Sequence, residues 1–304
     1  MVQSLPILMQ KIIVTHVNPD LDAIAAVWLI RRFVSGWDDA QLRFVPAGET
    51  FEGSVHDEVV VVDTGLGTFD HHQIDADTSA TKLVFEYLEV RKRSKKQVER
   101  DLGDVKKYQE KALSRMVSVI NDIDHFRQVY YPDADADYFH FLFTERGGII
   151  DGLNMTFHDS ETADFEIVTI GSTILDGIYR SFQQRVYAEK EMEKAEQMVV
   201  KTKSGNVLGI VSANDEVATL AQKQGFSLVV RKDPVYGNIR IKALPGKGID
   251  LTPVYDVVLK KDPAARWYLH PSRSMLLNGS GKHKDMKPSS LTMQEIMHIV
   301  EDVL

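Results

Sequence analysis

The sequence contains no cysteine. That absence removes disulfides, thiolate nucleophiles and Cys-ligated zinc or iron–sulfur centres from consideration. No apolar run approaches the roughly 18 residues of a membrane span, and Met1 to Gln10 lacks the basic start and sustained apolar core of a signal peptide. The expected setting is therefore cytoplasmic, with no membrane partner. No internal repeat and no low-complexity tract are visible. Basic charge is scarce overall, with a net charge of −8, but from Ser204 to Leu304 there are 13 Lys and Arg against 10 Asp and Glu. The acidity lies in the earlier part of the chain, where bound cations would invert the local field, so the overall sign does not exclude a phosphate-bearing substrate.

The chain has 304 residues with 43% hydrophobic and 26% charged content, enough for two packed cores. Lys11 to Thr15, Leu42 to Val45 and Glu58 to Val62 read as strands, the first followed by a helical run, Ala23 to Ile30, that ends near Ser35-Gly36. Strands apolar on both faces and alternating with helices imply an α/β fold with a covered parallel sheet. Helical patterns follow at about 81–90, 105–120 and 162–202. Beyond Lys203-Ser204-Gly205-Asn206 the expected order is strand 207–212, helix 215–224, strands 227–232 and 238–244, helix 253–260, a strand through Trp267-Tyr268-Leu269 and a final helix. Thr292 and Glu295 have capping-box spacing at the start of that last helix. The domain boundary is expected near 185–204, giving domains 1–190 and 191–304 with a long connecting helix over about 165–203.

The turn after the first strand, His16-Val17-Asn18-Pro19-Asp20-Leu21-Asp22, carries an imidazole and two carboxylates at metal-ligand density. Residues two apart can face neighbouring sites, so Asp20 and Asp22 can serve different metals, while Asn18 can donate to a phosphate. The plain alternative is a helix N-cap with first-turn acids that favour the helix dipole. Asp63 ends the third strand, at the edge of an α/β sheet where ligands bind, and is the candidate bridging carboxylate. In Asp70-His71-His72 one imidazole can ligate metal while the other supplies a donor to a phosphoryl oxygen, with Asp70 orienting one of the rings. A fourth acid comes from Asn121-Asp122-Ile123-Asp124, where Asp124 is favoured over Asp122. Carboxylates and imidazoles without thiolates suit Mn²⁺ or Mg²⁺, and two such ions form a clamp for in-line phosphoester hydrolysis. Near the C-terminus, the small residues of Asn278 to His283 let backbone amides approach an anion, and Lys282 and His283 add charge and a donor.

The ordered set H-x-N-P-D-x-D, V-V-D-T-G, D-H-H and a later acid resembles the DHH phosphoesterase superfamily. Phe69-Asp70-His71-His72-Gln73 with Thr78 to Val84, Asp122-Ile123-Asp124, Leu269-His270-Pro271-Ser272 and Gly279 to His283 are most similar to the Myg-type (melanocyte proliferating gene) exonucleases. RecJ-type and oligoribonuclease-type proteins share the same core motifs. The resemblance implies a parallel-sheet DHH domain joined by a long helix to a smaller α/β substrate-binding domain. It also implies two Mn²⁺ ions, one held by His16, Asp20 and Asp63 and the other by Asp22, Asp63, His71 and Asp124, with His72 facing the scissile phosphate. His270, Arg273, Asn278, Gly279, Gly281 and His283 are the substrate-binding residues it implies. The expected activity is exonucleolytic hydrolysis of single-stranded RNA, DNA or short oligonucleotides, by a chain that could pair as a homodimer. The alternatives are a phosphohydrolase of cyclic dinucleotides, other nucleotides or pyrophosphate, and a non-catalytic nucleotide sensor.

Overall fold

A computed structural model describes residues 10–51, 53–95, 103–158, 160–195, 197–279 and 287–304. The chain divides into two compact units, Met1–Gln183 and Gln184–Leu304. Both are mixed α/β. Among the described residues no helix is long and apolar enough to cross a membrane.

The first unit is built on three parallel strands, β1 (Lys11–His16), β2 (Gln41–Val45) and β3 (Glu58–Val61), in the order β2-β1-β3. Ile12, Ile13 and Val14 of the central strand are buried, as a strand covered on both faces requires. Helix α1 (Leu21–Phe33) is buried along Leu21 to Ile30. It packs against α2 (Ala80–Lys95) and α3 (Gly103–Asp124). Two shorter 3-10 turns, Arg127–Tyr130 and Asp137–Phe141, precede α4 (Ile149–Phe157) and the long α5 (Ala163–Lys194). At Gly171 in α5, a Cβ would stand 2.7 Å from Ile24 Cγ2 and 3.1 Å from the Phe143 ring. Only glycine permits α5 to lie that close to α1.

Among its described residues the second unit holds six strands: β4 (Gln197–Thr202), β5 (Gly205–Val211), β6 (Leu228–Lys232), β7 (Ile239–Ala243), β8 (Tyr268–Leu269) and β9 (Met275–Asn278), ordered β4-β5-β6-β7-β9-β8. Of these strands β5 and β6 pair in parallel, joined through α6 (Glu216–Lys223), and the other pairings are antiparallel. Alternation divides each strand between two cores. Val207, Leu228, Val230 and Ile241 pack with α7 (Thr252–Lys261) and α8 (Met293–Val303). Leu208, Ile210 and Val229 pack with α6 and the end of α5. The capping box forms at α8, where Thr292 Oγ1 accepts from the Glu295 amide and the Glu295 carboxylate accepts from the Thr292 amide.

The structure departs from the expected order in two places. The helix expected to run to about 203 ends at Lys194, and Gln197–Thr202 is instead a strand paired with β5 across a tight hairpin. Its alternating half-burial and the adjacent Val199-Val200 favour a sheet, a preference masked by the Glu- and Lys-rich run before it. The other departure is β9, whose last residue, Asn278, had read as the start of a glycine-rich turn.

Candidate metal centre

Every element that reaches the centre ends there with a specific local reason. His16 is the last residue of β1. The chain then turns through Asn18, whose left-handed backbone (φ 51°) is anchored by its N–H donating to the Asp164 carboxylate at 2.9 Å. Asp20 caps α1, accepting from the Ala23 amide at 2.9 Å. Asp22 is buried one turn in, and its two oxygens accept from the Ala80 and Thr81 amides of α2, at 2.6 and 2.9 Å. The helix-cap and metal-ligand readings of this turn are thus compatible: the same carboxylates cap two helices and point their remaining lone pairs inward. Thr81, whose hydroxyl also donates to the Asp22 carbonyl, was not anticipated as part of the site. The small-residue run Thr78 to Thr81 was the available sign.

After β3 the chain reaches Asp63, a second left-handed non-glycine residue (φ 53°). Strain of this kind collects where a side chain must be aimed. Asp63 Oδ2 lies 3.3 Å from His16 Nε2, and Oδ1 lies 3.4 Å from His71 Nε2. His71 Nε2 is also 3.8 Å from Asp22 Oδ2 and 3.8 Å from Asp124 Oδ2. His16 Nε2 is 3.9 Å from Asp20 Oδ1. The donors thereby form three groups, His16–Asp20–Asp63, Asp22–His71–Asp124 and Asp63–His71–His72, and in each the atoms lie within 4.8 Å of one another.

Between the two acids at the end of α3, the geometry separates roles. Asp122 accepts from Arg127 Nη1 at 3.0 Å, and Arg127 also pairs with Asp77 at 2.9 Å, so Asp122 braces the turn. Asp124 faces the centre. His125, passed over in the sequence although adjacent, stands with Nδ1 2.9 Å from the Asn121 carbonyl and 3.4 Å from Asp124 Oδ2.

Asp70 is buried and organises the loop that presents the histidines. Its Oδ2 accepts from the Leu66 amide at 2.7 Å, and its Oδ1 takes the His72 amide at 3.1 Å and His72 Nδ1 at 2.7 Å. Burial works against its charge, but these hydrogen bonds outweigh that and hold its carboxyl below the usual range.

Electrostatically the centre is short of positive charge. Burial, then the neighbouring Asp63 charge, pushes Asp20 up to about 7; burial, then Asp63 and Asp124, pushes Asp22 up to about 7. Burial, with Asp63 and Asp20 nearby, raises Asp124 to about 6. Burial alone would lower His16, but the hydrogen bond to Asp63 and the charge of Asp20 lift it to about 9. His71 is lifted to about 9 first by the Asp63 carboxylate beside it. Asp63 runs the other way: burial would raise it, yet His16 and His71 together hold it below the carboxylate range. Crowded carboxylates retain protons until a cation replaces them. Asp63 Oδ1 is buried, and among the described residues it accepts no well-aligned hydrogen bond, with His71 Nε2 standing 3.4 Å away, a shortfall a coordinating cation would offset. The oxygen and imidazole donors present fit a metal ion.

In the second unit, His270 and Arg273 lie in the turn joining β8 to β9. His270 Nδ1 accepts from the Ser272 amide at 3.1 Å, and Arg273, left-handed at φ 57°, donates to Asp250 at 3.1 Å. Arg273, Ser272 and Asp250 help line an open depression of about 650 Å³ with the Leu244 to Gly248 loop. Asn278 is fully buried; its amide donates to the Arg266 and Lys287 carbonyls, and its oxygen accepts from the Ser289 amide. Both amide hydrogens and one lone pair of the oxygen are used inside the fold, so the side chain serves the structure where the resemblance implies a substrate contact. Gly279 (φ 84°) abuts the Asn238 side chain. Gly281, Lys282 and His283 fall outside the described residues.

No family model matches the chain, and no curated protein matches it. Among solved structures, the chain is similar to an uncharacterized protein from Helicobacter pylori G27, at 14% identity over 97% of this chain and 99% of that one, with a TM-score of 0.22.

Proposed function

We propose that this protein is a divalent-metal-dependent phosphodiesterase of the DHH type, hydrolysing single-stranded nucleic acid or short oligonucleotides from an end. The observation that carries this reading is Asp63, whose two oxygens each face a different histidine and a different acidic group. A carboxylate so placed is suited to bridging two cations, and Mn²⁺ matches the donor set best. His16, Asp20 and Asp63 would hold one ion, and Asp22, Asp63, His71 and Asp124 the other. Bound there, the pair would supply charge neutralisation and an activated water for in-line attack on phosphorus.

The protein's own groups set the rest. Asp70 accepts from His72 Nδ1–H, which orients the ring and leaves Nε2 facing outward, where it donates to a phosphoryl oxygen when both ring nitrogens carry a proton. Ala80 and Thr81 keep Asp22 from rotating away. The N-terminal catalytic domain is followed by a substrate-binding domain in which His270 and Arg273 bind the nucleic acid.

The test is incubation of the metal-free protein, with and without Mn²⁺, with end-labelled RNA and DNA oligonucleotides, cyclic dinucleotides and pyrophosphate. Mn²⁺-dependent shortening of oligonucleotides that Asp63→Asn abolishes is the expected result. Cleavage of cyclic dinucleotides or pyrophosphate alone would move the substrate to a small molecule. No product from any would leave a sensor.

A further inference from the structure

The segment immediately after Asp124 carries exposed aromatic and guanidinium groups, whose reading rests on the phosphodiesterase assignment. The His125 ring stands 6.4 Å from the His71 ring, centroid to centroid, and its Nδ1 lies 3.4 Å from Asp124 Oδ2, so it borders the candidate metal centre. The next residue, Phe126, is one Cα step of about 3.8 Å further along. Its backbone is left-handed at φ 57°, in a large residue that rarely adopts that conformation. Phe126 is 43% exposed. The Arg146 guanidinium lies over the ring, its carbon 3.4 Å from the centroid, and the Arg146 side chain is itself 56% exposed. Tyr138 and Phe139, stacked with centroids 4.8 Å apart, belong to the same connecting segment.

An aromatic ring with a guanidinium on its face is a platform for planar π-systems. Bases stack on aromatic rings and on arginine without regard to sequence. A cation beside the ring also complements the phosphates that flank a base. We propose that Phe126 and Arg146 form the subsite for the nucleobase attached to the phosphate held at the metal centre. The base stacks on the pair while its phosphate lies toward Asp63 and His72. Recognition would then be of a nucleotide in general and not of one base, because the contact is made to a face, not to an edge.

The test uses binding, not turnover, so it stands apart from the catalytic reading. Mn²⁺-loaded protein is titrated calorimetrically with adenosine 5′-monophosphate and with ribose 5-phosphate, which shares the phosphate but lacks the base. The wild type should prefer the nucleotide by roughly five- to a hundredfold, the range of one stacked base. Phe126→Ala and Arg146→Ala should erase most of that preference, Phe126→Trp should keep it, and Mn²⁺ affinity should be unchanged in all three. Equal binding of the two ligands by the wild type would overturn the subsite. So would an intact preference in Phe126→Ala, or a parallel loss of Mn²⁺ affinity that marks the pair as structural. Nucleotide preference without hydrolysis of any phosphodiester would instead overturn the catalytic reading and leave the subsite standing.

Discussion

His72 Nδ1 lies 2.7 Å from Asp70 Oδ1, joining a ring that is 60% exposed to a carboxylate that is buried. The pairing divides the adjacent histidines by role. His71 is turned inward to Asp63, Asp22 and Asp124, whereas His72 is held by one nitrogen and presents the other to solvent. His72→Ala should therefore lower kcat on an oligonucleotide substrate by roughly 10²–10⁴ and leave calorimetric Mn²⁺ affinity nearly intact. His71→Ala should lose both. Asp70→Asn should cost less kcat than His72→Ala, roughly 10–100-fold, the usual cost of an outer partner. Loss of Mn²⁺ binding in His72→Ala would reverse the assignment of the two rings.

The crowding of acids predicts a pH dependence whose sign is fixed by the direction of the shifts. Asp20 and Asp22 bind protons more tightly in the folded protein, at about 7 against 3.8, so the stability they contribute is fully present below 3.8 and lost as pH rises through about 7. His16 and His71, raised from 6.5 to about 9, contribute below 6.5 and lose that contribution as pH rises through about 9. Asp63, lowered, acts oppositely, and only at strongly acidic pH. The Tm of the metal-free protein should therefore fall steadily from about pH 5 to pH 9. Mn²⁺ competes with the same protons, so its affinity should rise over that interval and the gap in Tm between loaded and metal-free protein should widen. Thermal melts in chelator and in saturating Mn²⁺ measure both, and a constant gap would refute the cluster.

Asp122 and Asp124 stand two residues apart and should respond differently. Asp124→Asn removes a donor from the Asp22–His71–Asp124 group and should weaken the second Mn²⁺ step by more than the roughly 10–100-fold that an outer partner costs. Asp122→Asn breaks only an exposed pair with Arg127, so metal affinity should stay within about twofold and Tm should move little. Equal losses of metal in the two variants would mean that the α3 terminus presents both acids.

What the sequence disclosed and what it hid follow the same division between local and long-range chemistry. The strand–turn arrangement of His16 to Asp22, Asp63 two residues past the third strand and the His71-His72 pair are local patterns, legible without long-range information. The preference for Asp124 over Asp122 was a choice between near-equals, and only Arg127 and Asp77, the latter distant in sequence, show why one acid turns away. The Asp22 link to Ala80 and Thr81 spans 58 and 59 residues, and the Asn18 link to Asp164 spans 146. No periodicity carries information of that range. β4 and β9 were obscured for a different reason: one followed a charged helical run, and the other is a four-residue strand ending in a residue that also suits a turn.

Asn278 gives the sharpest test of that second kind of error, because a binding residue and a structural one fail differently. Its amide joins the end of β9 to the Arg266 and Lys287 carbonyls and to the Ser289 amide, all within the second unit. Truncation leaves these groups without partners in a fully buried position, at about 1–3 kcal/mol for each buried group left unpaired. Asn278→Ala should therefore lower the denaturant midpoint of the full chain clearly. KM for an oligonucleotide, measured well below that midpoint, should stay within about twofold of wild type. Arg273→Ala supplies the contrast, since its exposed side chain contacts only Asp250 among its ion pairs within the described residues. That variant should leave stability nearly unchanged and raise KM. Denaturation curves paired with KM for the two proteins separate the roles, and a raised KM in a fully stable Asn278→Ala would return Asn278 to the substrate.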